Sequence, residues 1–463
     1  MHRWTALGAL SAAGLMTILD GSIVTVAMPA IQQDLGFSPA GLSWMVNAYL
    51  IPFGGLLLLA GRLGDLIGRR VMFLTGNAVF TAASLLAGLA TGPGTLIAAR
   101  FLQGAGSAMA SAVVLGILVT TFTDAGERGR AIAVFSFTGA AGASIGQVLG
   151  GVLTDLLSWP WIFFVNVPIG VATILVAVRV LPRDRGLGLS AGADVLGAAL
   201  VTSGLMLGIY TVVEGGRHWW TGVVSLTLLA GFVARQATAA DPLMPLRILR
   251  SRNVTGANLA QMLALSGMFA FQILVALYMQ RVLGYTALET GLAMLPAAVG
   301  IGAVSLFVSA RVNARFGART VLIAGLVLLI AAMGLLTRIP VRADYVTDLL
   351  PVMLLISGGG LVLPALATLG MSGARDSDAG LASGLFNTTQ QVGMAIGVAV
   401  LSTLAASRTG GLLAAGSTPA EALTGGYRLA FATSAGLLAT GLLVAVAVLR
   451  QPRATAALQP VRP

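Results

Sequence analysis

About fourteen apolar runs of membrane-crossing length, separated by short polar turns, constrain this chain more than any other feature. A helix needs roughly 20 consecutive apolar residues to cross the hydrocarbon core of a bilayer. Runs of that size lie near 5–27, 42–61, 71–91, 95–122, 129–155, 161–181, 192–213, 221–238, 254–280, 288–310, 319–337, 346–370, 380–405 and 426–449. Hydrocarbon offers no partner to a bare peptide group, so a crossing run must satisfy its own hydrogen bonds as a helix. Charged residues make up 9% of the chain and hydrophobic ones 57%, with a mean hydropathy of +0.92. That balance cannot coat a soluble core with a polar shell. The chain is read as an all-α polytopic membrane protein.

The formal charge of +11 is a topology signal, not a nucleic-acid footprint. All 27 basic residues are arginine, scattered between apolar runs instead of gathered on one face with aromatics. Alternate turns place twenty arginines on one side, among them Arg3, Arg69, Arg70, Arg185, Arg319, Arg375, Arg453 and Arg462. Six fall on the other side, at Arg217, Arg281, Arg338, Arg342, Arg408 and Arg428, and Arg100 lies within a span. The bias predicts a multi-pass protein of the cell's inner membrane with both termini in the cytoplasm. Arginine-only usage with abundant Ala and Gly points to a GC-rich bacterial genome. Cysteine is absent, which removes disulfides, thiolate nucleophiles and thiolate metal sites. With only His2 and His218, a histidine metal cluster is not expected, and no cofactor is predicted. The first run is too long for a signal peptide and lacks a small-residue cleavage site, so it reads as the first span.

Between the second and third runs stands GRLGDLIGRR, Gly61 to Arg70. Its glycines Gly61, Gly64 and Gly68 let two helix ends approach, Asp65 sits where it can cap or pair, and Arg69 and Arg70 hold the turn in the cytoplasm. The turn after the tenth run, ARVNARFGAR from Ala310 to Arg319, echoes it, with Asn313 and Ala314 near the place of Asp65. The echo predicts two related bundles of six helices, 1–186 and 241–463, with a helix pair inserted at 187–240 and a short cytoplasmic tail. The junction DPLMPLRILRSRN, Asp241 to Asn253, reads as an interfacial segment leading into the second bundle.

Asp20, near the middle of the first span, is the main functional candidate. A carboxylate there is costly to ionise and useful to protonate. Gly14, Thr17, Gly21 and Thr25 form a small-residue stripe beside it, which turns Asp20 toward other helices or a cavity. The competing reading is a carboxylate that only bonds a neighbouring helix. Arg100, in RFLQGAGSA, enters an apolar span and needs a partner; the alternative is snorkelling to the membrane surface near Pro93. Gln103 follows it and is a candidate cavity residue. In the fifth span, Gly142, Gly146 and Gly150 present bare backbone for another helix, and Gln147 beside them is placed on the substrate path. The second bundle offers Asn258, Gln261, Asn387 and Gln391 as cavity candidates, with helix-to-helix hydrogen bonding as the alternative. Met262, Met268, Phe269, Phe271, Tyr278, Met294 and Phe386 are candidates for an adaptable apolar wall. Asp155, Asp194 and Glu214 fall near span ends and rank below Asp20.

GRLGDLIGRR resembles the loop between the second and third spans of the major facilitator superfamily. That resemblance implies a gate in which Asp65 with Arg69 and Arg70, aided by Gly61, latches the inner side in the outward-facing state. The surroundings of Asp20 resemble the first-span signature of the fourteen-span drug:proton antiporters, where this acid is associated with proton coupling. RFLQGAGSA resembles the fourth-span motif, whose arginine is implicated in proton transfer. The glycine face of span five resembles the drug-exporter motif, except that Gly146-Gln147 stands where Gly-Pro is usual. SWPWIFFVNVPIG, Ser158 to Gly170, is similar to the family's entry into span six, with Pro160 where arginine is common.

The resemblance implies a major facilitator fold and a proton-driven exporter of lipophilic drugs, antibiotics or biocides, acting as a monomer in the bilayer. Alternatives are a dedicated exporter of a self-made metabolite or lipid, and an uptake symporter. A single convincing midmembrane acid favours neutral or monocationic substrates over dications. No phosphate-binding loop, metal cluster or nucleophile with its base is found, so neither an enzyme nor an ATP-driven pump is expected.

Overall fold

A computed structural model describes residues 2–39, 41–184, 186–188, 192–372 and 379–450. Arg185, Arg375, Arg453 and Arg462, used in the topology count, lie outside the described residues, as does the tail after Arg450. The chain forms fourteen helical rods among these residues: α1 (His2–Leu35), α2 (Trp44–Ile67), α3 (Arg69–Gly88), α4 (Pro93–Thr121), α5 (Ala125–Leu156), α6 (Trp161–Val180), α7 (Val195–Val213), α8 (Trp219–Thr238), α9 (Arg252–Arg281), α10 (Ala287–Phe316), α11 (Ala318–Leu336), α12 (Tyr345–Ser372), α13 (Ala379–Ala414) and α14 (Pro419–Ala447). Among the described residues, twelve of them are long and apolar enough to cross a membrane. In α8 the apolar run is diluted by Trp219, Trp220, Arg235 and Gln236. Several helices overshoot the apolar runs, most visibly α1, which continues to Leu35, and α13, which continues to Ala414. Hydropathy registers only the hydrocarbon segment, whereas the backbone ladder continues into the polar margin.

Two six-helix bundles follow from the packing. In the first, α1 packs on α5 and α6, α4 on α2 and α3, and α3 on α6; in the second, α9 packs on α13 and α14, and α11 on α12 and α14. The second set repeats the first with an offset of eight helices. The inserted pair α7–α8 lies against α2 and α13 through α7.

The two echoed turns share one geometry. Each is a single glycine rather than a loop: Gly68 (φ 102°) between α2 and α3, and Gly317 (φ 81°) between α10 and α11. Any side chain is strained at such positive φ. Two residues on, Arg70 Nη2 donates to Val178 O at 2.5 Å and Arg319 Nη2 to Val446 O at 2.5 Å. Each arginine thereby binds the open carbonyl end of the sixth helix of its bundle. Gly61 and Gly64 do not belong to the turn. They lie inside α2 facing α4, where a Cβ on Gly64 would stand 2.4 Å from Val113 Cγ1.

Asp194 joins the inserted pair. It caps α7 through the Gly197 N–H (2.9 Å) and accepts from Arg235 Nε (2.8 Å) and Gln236 Nε2 (2.8 Å) of α8. Burial alone would push this carboxyl up, but the bonds from Arg235, Gly197 and Gln236, with the guanidinium charge, hold it below the usual carboxylate range. Its stabilisation is therefore complete above the unfolded value of about 3.9 and is lost as pH falls through the lower folded value. Asp194→Ala is expected to cost about 0.5–2 kcal/mol at neutral pH, the usual worth of a cap. Thermal unfolding in detergent checks this: the gap from the parent protein should narrow below about pH 4.

Candidate functional site

A buried polar cluster occupies the heart of the first bundle. Asp20 of α1 and Arg100 of α4 are both fully buried and form an ion pair through Asp20 Oδ2 and Arg100 Nη1. Asp20 Oδ1 accepts from Gln103 Nε2 at 3.1 Å and from Asn166 Nδ2 at 3.0 Å. Arg100 Nη1 also donates to Gln103 Oε1 (2.9 Å), and Arg100 Nε donates to Met45 O of α2 (2.9 Å). Gln103 Nε2 reaches Ser84 Oγ of α3 at 2.8 Å. Four helices thus meet on one carboxylate and one guanidinium, and α3 joins them through Gln103. The hydrogen bonds around the pair offset the cost of burying both charges; removing one partner from such a pair costs about 3–5 kcal/mol. Arg100 does not snorkel. Its guanidinium carbon lies 4.5 Å from the Tyr49 ring centroid and 5.9 Å from that of Phe163.

The glycine face of α5 holds α1 at this depth. A Cβ on Gly142, Gly146 or Gly150 would stand 3.2, 2.9 or 2.8 Å from the carbonyl oxygens of Leu15, Leu19 and Ile23, three successive turns of α1 around Asp20. The second bundle repeats the device on the corresponding helix pair. A Cβ on Gly393 would stand 2.8 Å from Met262 Cα, and one on Gly397 would stand 2.2 Å from Ser266 O. Backbone meeting backbone allows this approach, and any side chain would force the helices apart.

Between the bundles lies a cavity of about 440 Å³, lined from α1 by Thr17 and Gly21, from α2 by Tyr49 and Phe53, and from α5 by Gln147. Across from them stand Met268, Phe269, Phe271 and Gln272 of α9, Met294 of α10, and Gln390 and Gln391 of α13. Tyr49 belongs to both features: one face lies against Arg100, and the ring lines the cavity. Its hydroxyl lies 3.0 Å from Ser107 Oγ.

The predicted site residues separate on this map. Gln147 and Gln391 line the cavity. Gln103 does not; it sits three residues from Arg100 on the same helix face and serves the ion pair. Asn258 accepts from Thr389 Oγ1 (2.6 Å) and donates to Val254 O (2.8 Å), so the helix-bonding alternative holds there. Gln261 is buried without lining the cavity, its two amide atoms lacking partners. Asn387 is exposed and donates to Ser383 O of its own helix. Of the apolar wall, Met268, Phe269, Phe271 and Met294 line the cavity, whereas Met262, Tyr278 and Phe386 do not. Asn166 and Tyr49 were missed. The asparagine inside SWPWIFFVNVPIG and the four-residue spacing of Tyr49 and Phe53 were the available signals.

Asp65 pairs with Arg69 (3.0 Å), and Arg69 Nη1 reaches Gly116 O of α4 (3.4 Å). Asp184 accepts the backbone N–H groups of Arg69 (2.5 Å) and Arg70 (3.2 Å), capping α3 from beyond α6. These contacts all stay within the first bundle and the strand of chain that follows it. The bundles touch where α2 packs on α13, with a Cβ on Gly384 standing 2.6 Å from Leu58 Cδ2, and again at the face opposite the chain ends. There Arg281 of α9 donates to Gln32 of α1, Gln280 Nε2 to Val26 O (2.9 Å), and the Leu288 N–H of α10 to Asp155 Oδ2 of α5 (2.8 Å). Beside these bonds, a Cβ on Gly151 would stand 2.5 Å from Leu288 Cα, and one on Gly291 2.4 Å from Gln147 O.

Comparison with known proteins bears on this arrangement. The family model described as Major Facilitator Superfamily matches residues 10–398. The chain is 37% identical over 430 residues to the puromycin resistance protein pur8 of Streptomyces alboniger, covering 90% of this chain and 85% of that protein. It is 41% identical over 420 residues to the cephamycin export protein CmcT of Amycolatopsis lactamdurans, covering 88% and 86%. Among solved structures it is similar to the inward-facing, unoccupied bacterial homolog of the human lysosomal transporter Spinster. That match has a TM-score of 0.67 and 17% identity and covers 96% of this chain and 98% of that one, a likeness of fold.

Proposed function

The chain belongs to the major facilitator superfamily, and from that premise we propose that it is a proton-coupled antiporter exporting lipophilic drugs or antibiotics by alternating access. It is a multi-pass membrane transporter and not an enzyme. The single observation that carries the coupling is the ion pair of Asp20 and Arg100, buried beside the cavity and joined to it through Tyr49. In this reading the units are 1–186, 187–240 and 241–463, the chain is of the fourteen-span antiporter type, and it works as a monomer. Both termini face the cytoplasm, so the closed face bearing Gln32 and Arg281 is the outer gate.

The cycle turns on charge. With the cavity open outward, Asp20 takes a proton and its bond to Arg100 weakens; the guanidinium is then held by Tyr49, Gln103 and Met45 O. The bundles rock about the midplane, with α5 and α10 parting or closing on bare backbone. Inward, the proton leaves, the ion pair re-forms, and substrate occupies the cavity. Asp65 with Arg69 and Arg70 forms the inner latch on the α2–α3 turn. A dedicated exporter of a self-made antibiotic is the second reading, favoured by the name of the cephamycin export protein.

Inside-out vesicles from an expressing strain test the proposal with a panel of lipophilic antibiotics that includes puromycin. Accumulation should require an acid lumen, collapse with a protonophore and proceed without ATP. Uptake that follows ATP, or that persists without a proton gradient, would reject it.

A further inference from the structure

We propose that the central cavity selects uncharged ligands that donate hydrogen bonds to two glutamine side chains, Gln147 from one bundle and Gln391 from the other. The inference deepens the exporter reading and rests on it for the role of the cavity. Two observations carry it. First, among the described residues none that lines the cavity is charged, and none is a histidine. The nearest acid, Asp20, sits behind Tyr49 with both carboxylate oxygens already occupied by Arg100, Gln103 and Asn166. The Asp20–Arg100 pair is neutral as a unit, so it offers no counter-charge to a cation or an anion. A charged ligand would give up its water without compensation, a cost that largely excludes it.

Second, the fully buried polar atoms of the lining that lack a partner are of one kind, amide oxygens. Gln147 is 4% exposed and Gln391 9%, both line the cavity, and the Oε1 of each lacks a hydrogen-bond partner. A buried acceptor left unmet is costly, and a ligand that donates to it recovers that cost on binding. The acceptors belong to helices on opposite sides of the cavity, so a ligand with two donors bridges the moving halves. Aromatic and methionine side chains around them, Phe53, Phe269 and Met268, suit an otherwise apolar, drug-sized body. The glutamine at 147, in place of the proline usual in this motif, is thereby a recognition residue.

Equilibrium binding to the purified full chain tests this without a gradient, so its failure is separable from failure of the exporter reading, which vesicle transport decides. Two probes are compared: chloramphenicol, uncharged with hydroxyl and amide donors, and tetraphenylphosphonium, a lipophilic cation with none. Chloramphenicol should bind and the cation should bind at least tenfold more weakly, a difference of about 1.4 kcal/mol. Gln147→Leu and Gln391→Leu, which keep the volume, should each weaken chloramphenicol about 3- to 10-fold, as loss of one buried hydrogen bond does. Gln391→Glu should raise affinity for the cation, a gain that a merely structural role would not produce. Cation binding equal to that of chloramphenicol, no chloramphenicol binding to the parent protein, undiminished affinity in both leucine variants, or no gain in the glutamate variant would overturn the proposal.

Discussion

Asp20→Asn is expected to reduce gradient-driven export to background while substrate exchange across the membrane continues. Asparagine resembles the protonated carboxyl in shape and cannot cycle its charge, so the bundles can still rock around a bound ligand but no proton is exchanged for it. The substitution also strands Arg100 in a fully buried site, at a cost of about 3–5 kcal/mol. Low stability and lost coupling must therefore be separated. The double variant Asp20→Asn with Arg100→Gln removes both charges and leaves a neutral cluster with Gln103 and Asn166, which should recover much of the lost thermal stability. Export should stay absent in it. Recovered export in the double variant would assign Asp20 to the scaffold rather than to coupling.

The second large effect concerns the crossing of α5 and α10. A Cβ on Gly291 would stand 2.4 Å from Gln147 O, which is backbone and cannot swing aside. Gly291→Leu should wedge the outer halves apart, and overpacking of this kind costs about 1–3 kcal/mol. Because the penalty falls on the closed outer face and not on the open one, it shifts the equilibrium between them by about 5- to 150-fold. The chain has no cysteine, so Met268→Cys in the cavity wall is a clean reporter. An impermeant maleimide added from outside should label the wedged variant faster by that factor, and transport should fall with it. Equal labelling rates would mean that this crossing does not govern outer access.

How far these features were legible in the sequence depends on what sets each one. Approximate helix number and position followed from hydropathy, and the bundle repeat from two glycine-centred turns whose φ values prove alike at Gly68 and Gly317. Asp20 stood out because an acid in mid-span is expensive. Arg100 was read as needing a partner, but pairing across eighty positions is a property of the packed bundle, and only the shared face of Arg100 and Gln103 hinted at their joint role. Asn258 and Gln261 precede the cavity-lining stretch of α9, which runs from Leu265 to Gln272, so the misplacement was one of depth along the helix. Asn387 misses the cavity while Gln390 and Gln391, one turn on, reach it, because periodicity gives a face but not where the opposing bundle recedes. Asp184 was invisible as the cap of α3, since nothing local in sequence joins a residue after α6 to the first turn of α3.

The central claim is that Asp20 exchanges a proton for substrate, and proton release on binding measures it most directly. Purified protein in weakly buffered detergent solution would be mixed with a drug that accumulates in the vesicle assay, while a pH indicator follows the bulk. The account predicts proton release on binding, rising to no more than one proton per bound ligand, as a single coupling carboxylate requires. It predicts none from Asp20→Asn with Arg100→Gln, provided the double variant still binds. Equal release from both proteins, or binding by the parent protein with no release at any pH, would contradict it.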